Sequence, residues 1–565
     1  MLLAQAGPPT DGYEDRLVQW ALDAQERERE PMPEGKRIEE IIIASENIFA
    51  PSDPWPTILN IFHAKTREAV IAREVLLAPG DTWTADRVAE TERNLRRLFI
   101  LAVARVVPVQ GRDGGVGALI VTKDRWSLRL NSDFVLIGSL LQYLRLQPTE
   151  MNFRGMNQQV TIDTILRLDT FQVAETFVEQ RLLGTRMTVG ESAALVFNRQ
   201  TGRVEGTTGG VAFGLPLVTL DQKWGFDISG SWNVRTRRTF RGASVWLLPY
   251  PDDTGPPTVP YMYAVQVLNA EASVTRSWGS KFKADATAAV GAYQHQYAPL
   301  ASASLTDEQR TWFIASYLPR SENATYLSGF FRAYTADFRV LHDINIYQLS
   351  EDFQVGPLFQ AGVRWALPPP LATAGFVELG AAIRYRLYRA DDVLTVSVAG
   401  ATRLRPGESP VNQRLAAEVI NYTPPLQGGR FVARVLVELT ANDLDNRHFL
   451  LGGSSGLRGT YPEAFSGRNM VLGNIEYRMK PFEAWTNQVG LVVFYDVGSA
   501  FDVRPVLTHT VGFGLRILLP QFNQEVIRLD FGIVLGSDQP PGLDRFNATY
   551  GQVTDLRPTF LDQPL

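Results

Sequence analysis

In the stretch FLLGGSSGLRGTYPEAFSG, residues 449–467, a single guanidinium, Arg458, stands among glycines and small residues. Arginine is a permanent positive charge whose planar fork of donors fits a carboxylate by two-point contact. Two acidic residues follow in runs that alternate apolar and polar, Glu476 in NIEYRMK and Asp496 in QVGLVVFYDVG, and both fall on the polar side of the alternation. The chemistry open to this set is ion pairing that pins a glycine-rich loop, not the making or breaking of bonds.

Other chemical groupings do not hold together. Gly452 to Gly456 fits the spacing of a serine nucleophile elbow around Ser454, but that turn must lead directly into a helix and no helical pattern follows. The acid-rich turn NDLDNRHF lacks the glycine and the distal glutamate of a calcium loop. The five histidines are scattered and the chain has no cysteine, which removes thiol chemistry and cysteine-held zinc and suits an oxidising compartment. No catalytic residue, metal site or cofactor is expected, and the chain reads as a protein that is not an enzyme. The sequons Asn323-Ala324-Thr325 and Asn547-Ala548-Thr549 read as ordinary loop and strand residues.

The elements that must position Arg458 and its acids belong to a long β-rich region. Its clearest runs are NIEYRMK, QVGLVVFYDVG, THTVGFGLRILL and EVIRLDFGIVLG. One face carries residues such as Ile475, Val493, Phe513 and Phe531; the other carries Asn474, Glu476, Arg478, Gln488, Asp496, Arg516, Arg528 and Asp530, with Gly490, Gly512, Gly514 and Gly532 between them. A soluble sandwich gives the same alternation. Two features favour a transmembrane barrel: the alternation runs from 127 to 553 at hairpin spacing, and glycines gather on the polar face, where another segment can approach closely. About sixteen strands fit at ordinary membrane-strand lengths with their loops. The closing strands are drawn from Asp133 to Leu146 and from about Arg545 to Val553.

The rest of the chain bounds the reading. Its 565 residues suit several domains or one large barrel, and a net charge of −5 argues against a nucleic-acid binder. No apolar run is long enough for a membrane helix, a filter that barrels escape. Residues 1–6, with Ala4-Gln5-Ala6, read as the remnant of a secretory signal, although the charged start of such a signal is missing. Residues 7–35 form a helix, apolar at Leu17, Trp20, Ala21 and Ala24, and a linker. It is expected to be exposed, or to plug a pore. Residues 36–126 follow the order β-α-α-β-β, with the second helix starting at an N-cap Thr84. Residues 554–565 trail as a tail.

That order, with LLAPGD between its helices and RRLFIL closing the second, resembles a POTRA domain of bacterial outer-membrane assembly factors. The stretch LLGGSSGLRGTYPEAFSGRNMVLGNIEYRMKPF followed by VFYDVGSAFD resembles the signature of the BamA/TamA-like assembly factors, the bacterial surface antigen superfamily, and their two-partner-secretion relatives. EMNFRG and QRLLGTRM are similar to turns in that family's early strands. The fold implied is mainly β, an antiparallel transmembrane barrel preceded by one α+β POTRA domain at 36–126, with the barrel at 127–553. The resemblance implies that Arg458 and Gly459 enter the barrel and meet Asp496, with Glu476 alongside. Tyr461 stands for the family's aromatic, displaced by the intervening Thr460.

The function implied is an outer-membrane protein assembly or translocation factor. Its partners would be unfolded outer-membrane or secreted β-rich proteins, outer-membrane lipid and an accessory periplasmic partner at the POTRA domain, with no nucleic acid. The alternatives are a two-partner-type secretion pore for one dedicated exoprotein and a porin-like channel. The location implied is the outer membrane of a Gram-negative bacterium, with the POTRA domain in the periplasm.

Overall fold

The structure is a computed structural model; it describes residues 13–49, 56–137, 140–241, 244–248, 250–251, 258–347, 349–444, 449–460, 464–484, 487–519, 526–536, 546–550 and 552. The expected signal remnant, Tyr461 and the tail at 554–565 lie outside them.

The chain begins with helix α1 (Tyr13–Ala24), then β1 (Ile38–Glu46), α2 (Glu68–Ala72), α3 (Ala85–Arg96), β2 (Leu101–Gln110) and β3 (Val116–Asp124). In the resulting sheet β3 lies in the centre, parallel to β1 and antiparallel to β2. Every residue of β3 is buried, as befits a strand covered on both faces. One face carries Val70, Ile71 and Leu95 from α2 and α3 over Ile38, Leu101, Ala118 and Ile120. The other carries α1, whose Leu17, Val18, Ala21 and Leu22 pack on Ala44, Val103, Val107, Leu119 and Val121.

The N-terminal helix is therefore neither exposed nor a plug. Its buried stripe includes Val18 and Leu22, while Trp20 and Ala24 face outward, because the sheet's second apolar face needs a cover. Beyond it, the Glu30 N–H donates to the Pro108 carbonyl and the Gln110 N–H to that of Glu28, so residues 28–30 close the outer edge of β2.

From Leu128 onward the strands form one closed antiparallel barrel in which Phe546–Tyr550 neighbours Leu128–Ile137. Among the described residues it holds twenty strands, the interrupted pairs Glu322–Thr335 with Asp337–Leu341 and Asn469–Met479 with Phe482–Ala484 each counting as one. The sixteen expected from average spacing falls short because several hairpins turn within two or three residues, as between Arg167 and Thr170, Trp278 and Phe282, and Arg389 and Asp392. The range drawn for the first strand, Asp133 to Leu146, straddles a hairpin: one strand ends at Ile137 and the next starts at Leu140.

The faces are the reverse of a soluble sandwich. Val493 and Phe513 are 58% and 62% exposed on the outside, whereas Glu476 and Asp496 are fully buried within. Apolar side chains outward and charges inward suit hydrocarbon around the barrel.

The small domain sits on one mouth. Arg96 of α3 grips Asp352 through Nε and Nη2 at 2.7 and 2.9 Å, and Glu74 receives Arg181 of a barrel turn at 2.6 and 2.7 Å. The two stretches that resembled early turns, EMNFRG and QRLLGTRM, both lie at this mouth: the Arg67 N–H donates to the Gly155 carbonyl, and Arg181 is the residue that reaches Glu74. At the opposite end helix α4 (Asp307–Ser316), which the β-like reading of the region missed, buries Phe313 against Leu248, Val259, Tyr263 and Val265. Thr306 and Gln309 close its first turn by reciprocal hydrogen bonds.

Candidate functional site

Between the strands Gly429–Ala441 and Asn469–Met479 the chain folds back into the barrel. A short ladder, Phe449–Leu451 with Phe465–Gly467, starts the descent. Leu451 and Leu457 then bury against Leu436 and Leu472 of the wall. One turn of 3-10 helix, Gly453–Ser455, carries the loop to Arg458.

Arg458 is fully buried and uses every face of its fork. Nε and Nη2 donate to the two oxygens of Asp496 at 2.8 and 2.7 Å, its own backbone N–H adds a third bond to Asp496 at 3.1 Å, and Nη1 donates to Glu476 at 2.5 Å. The guanidinium carbon lies 3.6 Å from the centre of the Phe494 ring, a cation-π contact inside the same pocket. The Asn474 amide donates to Asp496 at 2.7 Å and to the loop carbonyl of Gly456 at 2.6 Å, tying acid and loop together. The structure thus brings Arg458, Glu476 and Asp496 to one point; Asn474 and Phe494 complete it, and sequence reasoning did not single them out.

Glycine is required where the loop meets the wall. Gly459 has φ +79°, and a Cβ there would stand 2.6 Å from the carbonyl carbon of Gly532. Thr460, which separates Gly459 from the aromatic in the sequence, has its own work: its hydroxyl donates to the Leu457 carbonyl at 2.7 Å and accepts from the Gly453 N–H at 3.1 Å.

A second segment enters from the small-domain side, and no sequence signal marked it. Between Asp337–Leu341 and Glu351–Ala366, Ile344, Asn345, Tyr347 and Leu349 are buried inside the barrel. Ile344 packs with Phe353, Val393, Ile420, Tyr422 and Val432; Tyr347 and Leu349 pack with Leu518 and Val526. One oxygen of Glu351 accepts the successive N–H groups of Ile344, Asn345 and Ile346, at 2.9 to 3.2 Å. Arg478 joins the two entering segments: Nη1 donates to the Ile344 carbonyl at 2.9 Å and Nε to Glu476 at 2.8 Å.

The serine of the elbow-like spacing sits in the 3-10 turn Gly453–Ser455, which ends at Gly456 without leading into a longer helix. Among the described residues no cluster of His, Cys, Asp or Glu is arranged to hold a metal. What the geometry does is fasten an inward loop to the barrel wall.

Residues 414–553 match the Omp85 superfamily domain, over the part that contains the inward loop and the strands bearing Glu476, Asp496 and Asp530. No curated protein matches the chain. Among solved structures, CdiB from Escherichia coli aligns at 11% identity over 97% of this chain and 88% of its own, with a TM-score of 0.40. CdiB from Acinetobacter baumannii aligns at 11% identity over 92% of this chain and 73% of its own, with a TM-score of 0.38. BamA from Haemophilus ducreyi, lacking POTRA domains 1–3, aligns at 10% identity over 91% and 83%, with a TM-score of 0.34. Likeness at this level carries no functional argument.

Proposed function

We propose that this Omp85-type barrel inserts or translocates β-rich client polypeptides at the bacterial outer membrane, with residues 13–124 acting as a POTRA-like periplasmic domain that receives them. The observation that carries the reading is the seam. The barrel closes on Phe546–Tyr550, where Asn547 and Ala548 are residue types depleted in strands. Each ladder bond contributes only ~1 kcal/mol net, so a joint whose residues pair poorly is the one expected to part first. Opened, it exposes unpaired N–H and C=O groups on which a client strand can add.

The two entering segments occupy part of the lumen, which supports the lateral route over a lumenal one. Passage along that side of the pore would require the Arg458 loop and the segment around Ile344 and Tyr347 to leave, and α1 does not serve as a removable plug. In the small domain, β1 beyond Ile38 is the edge offered to an incoming strand: Gly80 and Asp81 bond Ile38, β3 covers the other side of β1, and residues 28–30 close the edge of β2.

The test uses cysteine pairs introduced across the seam, one in Leu128–Ile137 and one in Phe546–Tyr550, in a chain that has no native cysteine. Oxidation is expected to abolish client insertion while the barrel stays folded, and reduction to restore it. Full activity of the oxidised form would overturn the lateral gate and favour secretion through the lumen.

A further inference from the structure

Between β1 and α2 lies a turn of 3-10 helix, Thr57–Phe62. Side chains three apart eclipse in such a helix, so Ile58 and Ile61 form one ridge. They are 73% and 75% exposed. Exposed isoleucines on a wandering loop would mean little, but this turn is held firmly. The Asn60 side chain accepts from the Phe49 N–H at 3.1 Å and donates to its carbonyl at 2.9 Å. The His63 ring is fixed between Asp124 at 2.7 Å and Ser127 at 3.2 Å, with its side chain and that of Asp124 buried. Asn152, at the base of the first barrel hairpin, donates to the Ala64 carbonyl and the Thr66 hydroxyl at 3.0 and 2.9 Å.

These bonds fix the ridge at the foot of the seam strand. That strand starts at Leu128, and Leu128, Leu130 and the neighbouring Phe153 are exposed on the barrel's outer, apolar belt. Next to the ridge stand the exposed cations Lys65, Arg67 and Arg154, the last two linked by a bond from Arg67 Nε to the Arg154 carbonyl at 3.1 Å, with Glu68 the adjoining acid. Apolar side chains flanked by cations, continuous with a hydrocarbon-facing belt, are the composition of an interfacial membrane anchor.

We propose that Ile58 and Ile61 insert into the periplasmic leaflet of the outer membrane beside the seam, with Lys65, Arg67 and Arg154 facing lipid phosphates. The inference rests on the reading of the barrel as membrane-spanning. Its occupant is phospholipid. The anchor holds the small domain against the bilayer at the strand that must release when the seam opens.

The test places an environment-sensitive fluorophore on single variants of the full chain, Ile58→Cys, Ile61→Cys, Met32→Cys and Val493→Cys, in bilayers of phosphatidylethanolamine and phosphatidylglycerol carrying a nitroxide high on the acyl chain. Val493 faces outward on the belt, and Met32 is exposed on the linker before β1. Quenching at 58 and 61 is expected to match that at 493 and to exceed that at 32 by about threefold, as for side chains at the headgroup and acyl boundary. Quenching at 493 with none at 58 and 61 would overturn the anchor alone. No quenching at 493 would overturn the membrane reading and the anchor with it.

Discussion

Arg458 and Arg478 divide one carboxylate between them: Arg458 of the inward loop takes Oε1 of Glu476 at 2.5 Å, and Arg478 of the wall takes Oε2 at 2.8 Å. Since Arg478 also holds the Ile344 carbonyl, the loop from one mouth and the segment from the other are fastened through Glu476. A buried ion pair adds little stability over a well-packed apolar core, but losing one partner strands a charge without water. The cluster therefore specifies position more than it adds strength.

Arg458→Ala is expected to weaken docking of the loop by ~3–5 kcal/mol, because Asp496 and Glu476 lose their shared cation in a dry site. Arg339→Ala, in an ion pair with Asp337 that is half exposed, should cost no more than ~1 kcal/mol. Protease cleavage of the loop and the thermal midpoint of the barrel, followed for both variants, check the contrast; equal behaviour would count against the lock.

Gly459→Ala is expected to expel the loop without removing any ionic partner. The left-handed backbone costs a non-glycine residue about 1–2 kcal/mol, and the added Cβ meets the backbone of Gly532 as well. Labelling of a cysteine placed at Ser455 by an external thiol reagent should rise, whereas unchanged protection would show that the contact is not tight.

Ile344→Ala is expected to loosen the segment at the small-domain mouth by ~2–5 kcal/mol through loss of a buried side chain. The readouts are conductance in planar bilayers and thiol access to Ser350→Cys from the small-domain side. Both should increase; if neither changes, the segment is not what closes that mouth.

The turn before β3 should respond to acid. The Asp113 N–H, together with those of Gly115 and Arg112, holds the Glu39 carboxyl below its ordinary value of 4.5. A carboxylate with a lowered folded pKa stabilises fully above its unfolded value, and the contribution fades as pH falls through the folded one. Amide exchange at Arg112, Asp113 and Gly115, corrected for the intrinsic pH dependence, should therefore stay slow above pH 4.5 and quicken below it. Glu39→Gln should remove that pH dependence.

Glu476 and Asp496 were legible because they lay in runs whose alternation separates an apolar face from a polar one, and the entry of Arg458 to meet them followed from the family resemblance of its glycine-rich stretch. Three things were not legible, for different reasons. The strand number depends on turns such as Leu168-Asp169, which contain no glycine or proline to mark them. The buried side of α1 depends on a sheet face formed by Val103, Val107 and Val121, far along the chain. The stretch around Ile344 and Tyr347 reads as a half-apolar loop, and only the closing of the barrel around Gly490, whose Cβ position lies 2.7 Å from the Tyr347 hydroxyl, gives it an inside to occupy. Helix α4 is a plainer miss, since Thr306 and Gln309 already spelled its start.

Glu14 of α1 accepts from Arg105 at 3.0 Å within its own domain and from the hydroxyl and N–H of Ser350 at 3.1 and 3.3 Å across the barrel mouth. The second pair joins residues 336 apart in sequence. Contacts so distant form late, after the local ones have paid their chain entropy. The expected order is that the β-α-α-β-β unit folds from its own neighbours, the barrel closes next, and the bonds between Glu14 and Ser350 form last. Hydrogen exchange at Ser350 would time the final step, and the N-terminal helix becomes the chain's own sign that its barrel is finished.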